Sequence, residues 1–139
     1  KALIPMTPAG ATLFDPALGT GAIELPTLMM TAGRDLTLPN EREGDPLWRN
    51  VSAEGSLRVD LTEAGHFTYS DACSVPGDLI QGDGCGADNL ELPRAHQLIN
   101  AYALAFLRKH LLDDTSGEAL LTGAESIEPD LTLSVGHAP

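Results

Sequence analysis

Basic side chains are scarce in this chain: eight Lys and Arg stand against 20 Asp and Glu, a formal net charge of −12 over 139 residues. A surface that tracks phosphates needs clustered cations, so the balance excludes nucleic acid as a partner and disfavours an anionic membrane surface. Long apolar runs are missing too, and none approaches the roughly 20 residues of a spanning helix, so no membrane span is expected. The sequence opens at Lys1 and passes directly into Ala2-Leu3-Ile4, with no basic n-region, apolar h-region or cleavage site ahead of it. Internal repeats and low-complexity tracts are absent. What is present, 42% apolar residues with 14 Gly and 10 Pro, is the composition of a loop-rich globular chain of one small domain.

Cysteine is nearly absent as well. Cys73 and Cys85 lie twelve positions apart, in a stretch from Ser70 to Asp88 too rich in Gly, Asp and Pro for a regular element. They can close one disulfide, for which chain entropy gives roughly 3 kcal/mol; two unrelated thiols are the alternative. A bridge would imply an exported protein, periplasmic, secreted or lipoprotein, because cytosolic thiols stay reduced. Zinc is not expected, since no second pair of Cys or His completes a four-ligand shell. Asp78, Asp83 and Asp88 do not follow the D-x-D-x-D-G spacing of a calcium loop, so neither a metal nor a cofactor is expected.

The pattern along the chain is of α/β type. Residues 1–6 read as a short strand ending near Pro5, and residues 26–32, an apolar run between Pro26 and Gly33, as a strand covered on both faces. Residues 40–51 suit a short helix capped by Asn40, with Glu41 and Glu43 in its first turn and Trp48 packing it down. Over 56–62, Leu57, Val59 and Leu61 alternate with Arg58, Asp60 and Thr62, which predicts a strand with one more exposed face, placed at a sheet edge. Ala95, Leu98, Ile99, Tyr102 and Phe106 mark one face of a helix over 92–112, with Pro93 in its first turn and Arg108, Lys109 and His110 near its C-terminus. From Asp113 the chain is polar, and only Leu131, Leu133 and Val135 suggest a further strand. Three mostly parallel strands with covering helices cannot bury both faces alone, so the pattern reads as a portion of a larger sheet.

In such sheets ligands bind outside the carboxyl ends of the strands. Asp35 follows the 26–32 run and His66 follows the 56–62 strand, each just past a strand end. An Asp and a His meeting there suit nucleophilic acyl transfer: the carboxylate fixes the imidazole tautomer, and the other ring nitrogen takes a proton from a serine. Asp60 and Asp71 are rival acids, Asp60 expected to face solvent and Asp71 to cap the His66 loop. His96, His110 and His137 are expected to be surface or packing residues. No serine here has Gly at both −2 and +2, as the strained Gly-x-Ser-x-Gly turn requires. Met6, Met29 and Met30 are core candidates, while Met6 and Pro8 could also line an acyl pocket.

The stretch from Leu25 to Pro39, with its apolar strand, Gly33-Arg34-Asp35 and Pro39, followed by Gly65-His66-Phe67, resembles the last two strands of α/β-hydrolases of the dienelactone hydrolase and platelet-activating-factor acetylhydrolase-like group. Asp83-Gly84-Cys85-Gly86 and the run from Arg94 to Tyr102 resemble bacterial, exported members. The resemblance implies Asp35 as triad acid, His66 as triad base, Met6, Pro8 and Phe67 as pocket candidates, and a small-molecule carboxylic ester as substrate. It implies residues 1–113 as the C-terminal portion of a hydrolase domain and 114–139 as a tail, with the nucleophile and oxyanion loop expected ahead of Lys1. The alternatives are a non-catalytic interaction module on the same half-fold, and a hydrolase with an upstream Cys or Asp nucleophile.

Overall fold

Leu28 to Ala32 offer water no polar face beyond one hydroxyl, and in the computed structural model they form β1 (Leu28–Ala32), buried at every position. Residues 1–13, 15, 18–75, 80–124 and 129–136 are described. β2 (Leu57–Leu61) pairs with β1 in parallel, Leu28 opposite Leu57 and Ala32 opposite Leu61. β3 (Leu131–Val135) adds antiparallel on the other side of β2. The result is a small mixed sheet in the order β1-β2-β3, covered by helices in an α/β arrangement.

The segment expected as a first strand lies extended beside β1. Leu3 donates to the Pro26 carbonyl at 3.0 Å, and the Leu3 and Pro5 carbonyls accept from Leu28 and Met30 at 2.9 Å each. In this register Pro5 occupies a position that would donate to β1, and its ring has no N–H. The pairing is thereby reduced to two separate parallel bridges, Leu3 with Thr27 and Met6 with Met30.

β2 departs from its sequence reading in two respects. It is the central strand, not an edge, because β3 covers its far side. Its charged residues are also not solvent-facing: Arg58 is 9% exposed and inserts under the chain after β1. Its Nε donates to Thr31 Oγ1 at 2.9 Å and its Nη1 to Asp45 Oδ1 at 2.6 Å. Asp60 Oδ1 accepts from Thr31 Oγ1 at 2.6 Å and from Asn40 Nδ2 at 2.7 Å. A period-2 alternation of charge and aliphatic residues here records a paired polar layer.

That layer sets the form of the next helix. Asn40 is spent on Asp60 and does not cap, residues 40–43 form a turn, and α1 (Gly44–Trp48) is five residues long. Glu43 Oε2 accepts the N–H groups of Gly10 and Ala11 at 2.7 and 2.8 Å, fastening the early loop. Trp48 is buried with Met29, Leu47 and Val51 in a core cluster of their own.

The main core lies under α2 (Leu92–Leu112). Its apolar face, Ala95, Leu98, Ile99, Tyr102, Ala105 and Phe106, packs with Leu28, Met30, Val59 and Leu61, each large side chain contributing about 1.5–3 kcal/mol of transfer free energy. The polar stretch after residue 113 joins this core. α3 (Glu118–Thr122) buries Leu121, β3 buries Leu131, and Lys109 binds Glu118 at 2.7 Å. Its average composition hides apolar residues that share one side.

Candidate active site

Because β1 and β2 run parallel, both end at the same edge of the sheet, and the chains leaving them travel together. Gly33 donates to the Leu61 carbonyl at 2.9 Å and Arg34 to the Ala64 carbonyl at 2.8 Å. The approach requires glycine at 33, where a Cβ would stand 2.4 Å from the Thr62 carbonyl oxygen. Arg34 then turns outward to the Glu63 carboxylate and the Asp88 carbonyl.

This geometry delivers Asp35 and His66 to each other. His66 Nδ1 lies 2.9 Å from Asp35 Oδ2, with side-chain exposures of 22% and 2%. Asp35 Oδ1 accepts the Leu38 N–H at 2.6 Å, so one carboxylate oxygen is fixed by its own loop and the other holds the imidazole. A carboxylate on Nδ1 places the proton there and leaves Nε2 as the basic nitrogen. Nε2 has no hydrogen-bond partner among the described residues.

His66 opens a 3-10 turn, His66–Tyr69, that is tied on every side. Gly65 N–H donates to Thr68 Oγ1 at 3.1 Å. The Thr68 carbonyl meets His96 Nε2 at 3.0 Å, and the Phe67 ring stands edge-on to the imidazole at 5.2 Å and 84°. Tyr69 donates its phenol to the Thr31 carbonyl of β1 at 2.7 Å. Burial pushes the Tyr69 phenol well above its ordinary range, and the Asp60 and Asp35 carboxylates push the same way.

Cys73 and Cys85 are joined in a disulfide, which closes the following loop. Inside it lies a residue that the sequence offered as a poor calcium ligand and as part of the Asp83-Gly84-Cys85-Gly86 motif, with no role in the site. Asp83, 6% exposed, accepts the His66 N–H at 2.8 Å and the Leu36 N–H at 2.9 Å on Oδ1, and the Thr37 hydroxyl at 2.7 Å on Oδ2. Burial opposes its ionisation, but these three donors and the facing His66 outweigh it and hold the carboxyl below its usual range. The available signal was glycine on both sides: Gly82 and Gly84 take φ values of +86° and +106°, which lets the loop turn its carboxylate inward.

The other candidates separate. Asp60 belongs to the buried polar layer rather than to solvent. Asp71 is exposed, and no hydrogen bond among the described residues joins its carboxylate to the His66 turn, so it does not cap that loop. Met6 lines a cleft of about 290 Å³ with Tyr69, Asp71 and His96, whereas Pro8 borders an apolar cavity of about 120 Å³ with Met29 and Leu47. Among the described residues these two cavities are separate, Pro8 also borders a narrow hollow beside Asp35, and Phe67 has a ring contact with His66. Met29 and Met30 are core residues. Asp78 and His137 lie outside the described residues. Among the described residues, no three His, Cys, Asp or Glu are grouped to hold a metal, and no helix is long and apolar enough to cross a membrane.

Neither a protein-family model nor a curated protein matches this chain.

Proposed function

We propose that Asp35 and His66 are the acid and base of a serine hydrolase acting on carboxylic esters, the serine being supplied by residues outside this sequence. The observation that carries the reading is the His66 Nδ1 to Asp35 Oδ2 contact at 2.9 Å, on a nearly buried carboxylate, with Nε2 left free of described partners. In that role the carboxylate orients the ring and stabilises the imidazolium as Nε2 takes the serine proton; the same proton then passes to the leaving alcohol. The placement of both residues past the C-terminal ends of adjacent parallel strands supports the same reading. The disulfide is compatible with an exported protein.

Labelling the full-length protein with a serine-directed phosphonate tests this. The expected adduct is on a serine outside residues 1–139, and His66→Ala should lower ester turnover by at least about 10³-fold. An adduct within these residues, or turnover indifferent to His66→Ala, overturns the proposal. A Cys or Asp adduct upstream would point to the related hydrolase chemistry, and the absence of turnover to a non-catalytic module.

A further inference from the structure

We propose that Asp83 is the positioning residue that sets the geometry of the Asp35–His66 pair, and that the Cys73–Cys85 bond holds Asp83 in place to do so; this rests on the acid and base reading above. One carboxylate oxygen accepts two amides, one from the base itself and one from the residue next to the acid, across sequence separations of 17 and 47. Oδ2 takes a second bond from the acid loop, at Thr37. The Asp83 carbonyl adds a fourth contact, accepting the Phe67 N–H at 2.9 Å. A single short segment thus grips both loops, and displacing it by an ångström would move His66 against Asp35.

The grip is anchored from behind. Cys85 is 3% exposed and bonded to Cys73, the Gly82 N–H donates to the Cys85 carbonyl at 2.7 Å, and Asp83 lies between the two. Closing the loop alone would need only the disulfide and that backbone bond. A buried carboxylate aimed at the two site loops is costly unless its acceptor capacity is filled, and here two amides and a hydroxyl fill it. Asp83 touches no reacting atom and acts through His66.

Proton NMR on the oxidised chain with labelled histidine reads this without turnover. The wild type should show a slowly exchanging, downfield Nδ1 proton of His66. In Asp83→Ala its exchange should accelerate by about tenfold or more, and Asp83→Asn, which keeps an acceptor oxygen for the two amides, should restore most of the protection. The Cys73→Ser/Cys85→Ser chain should shift exchange in the same direction as Asp83→Ala. In the full-length enzyme Asp83→Ala should lower kcat by about tenfold with KM within about twofold. Wild-type exchange in a folded Asp83→Ala chain overturns the proposal. If that variant does not fold, Thr37→Val decides: it removes only the Oδ2 bond, exchange should rise by about threefold, and unchanged exchange overturns the proposal. A wild-type chain with no protected Nδ1 proton overturns the acid and base reading together with this one, whereas loss of protection in the variants without ester turnover overturns the hydrolase reading alone.

Discussion

Gly65 and Gly84 lie backbone against backbone: a Cβ on Gly65 would fall 2.2 Å from the Gly84 amide nitrogen. Neither neighbour is a flexible side-chain end, so the contact admits no bulk on either side. It is what allows the disulfide loop to come close enough for Asp83 to reach the His66 amide.

Gly65→Ala should therefore cost about 2–4 kcal/mol in urea unfolding of the oxidised chain. Gly82→Ala is the control. Nothing lies within 4 Å of a Cβ at Gly82, and only its φ of +86° opposes the change, so a loss of about 1 kcal/mol is expected. Equal losses at the two positions would show that backbone strain, not close approach, governs the loop.

The Arg58 layer predicts strong coupling. Arg58→Met leaves Asp60 half-buried beside Thr31 and Asn40 without its cation, and should destabilise by about 3 kcal/mol. Adding Asp60→Asn should recover about 1 kcal/mol or more of that loss in a double-mutant cycle. Additive losses would mean that Asp45 alone, 2.6 Å from Nη1, satisfies the guanidinium.

His110 gives stability a pH dependence of defined sign. Burial first, and the Lys109 ammonium second, push its imidazole below the ordinary range, against a backbone bond to Gly55 that raises it; the ring also rests on Phe106 at 4.4 Å. The unfolded chain then binds the proton more readily than the folded one. The contribution is present above the unfolded value and declines as pH falls through it towards the lower folded value. Urea midpoints should fall between about pH 7.5 and 5.5, and His110→Gln should flatten that difference relative to wild type. A variant slope as steep as the parent's would assign the dependence elsewhere.

How far these features were legible depends on whether their partners are near in sequence. The run closed by Gly33 announced a strand buried on both faces, and the spacing from Ala95 to Phe106 announced α2, because each is dictated by its own residues. Asp35 and His66 were legible as strand-end residues, since parallel neighbours finish at one edge. Arg58 and Asp60 were misplaced because alternation looks the same whether a charge meets water or a partner on another element. Asn40 had the capping residue type, but its amide goes to Asp60, 20 positions away. β3 was legible from the alternation of Leu131, Leu133 and Val135, but its place beside β2 was not, because antiparallel pairing with a strand some seventy positions earlier leaves no local mark. Asp83 stood in the Asp83-Gly84-Cys85-Gly86 motif, but nothing local disclosed its part in the site, because its contacts are two backbone amides and a hydroxyl on distant loops.

The Cys73–Cys85 link also bears on the order of assembly. It spans 12 positions, whereas the Asp83 bond to Leu36 spans 47 and the His66 bond to Asp35 spans 31. The entropic cost of closure grows with loop length, and parallel pairing of β1 with β2 must wait for a long crossover. The oxidised loop is thus the nearest-range of these closures, available before the sheet exists. A chain oxidised early carries Asp83 into folding on a closed ring of residues, and one that folds while reduced must find both strand ends with an open, more entropic segment.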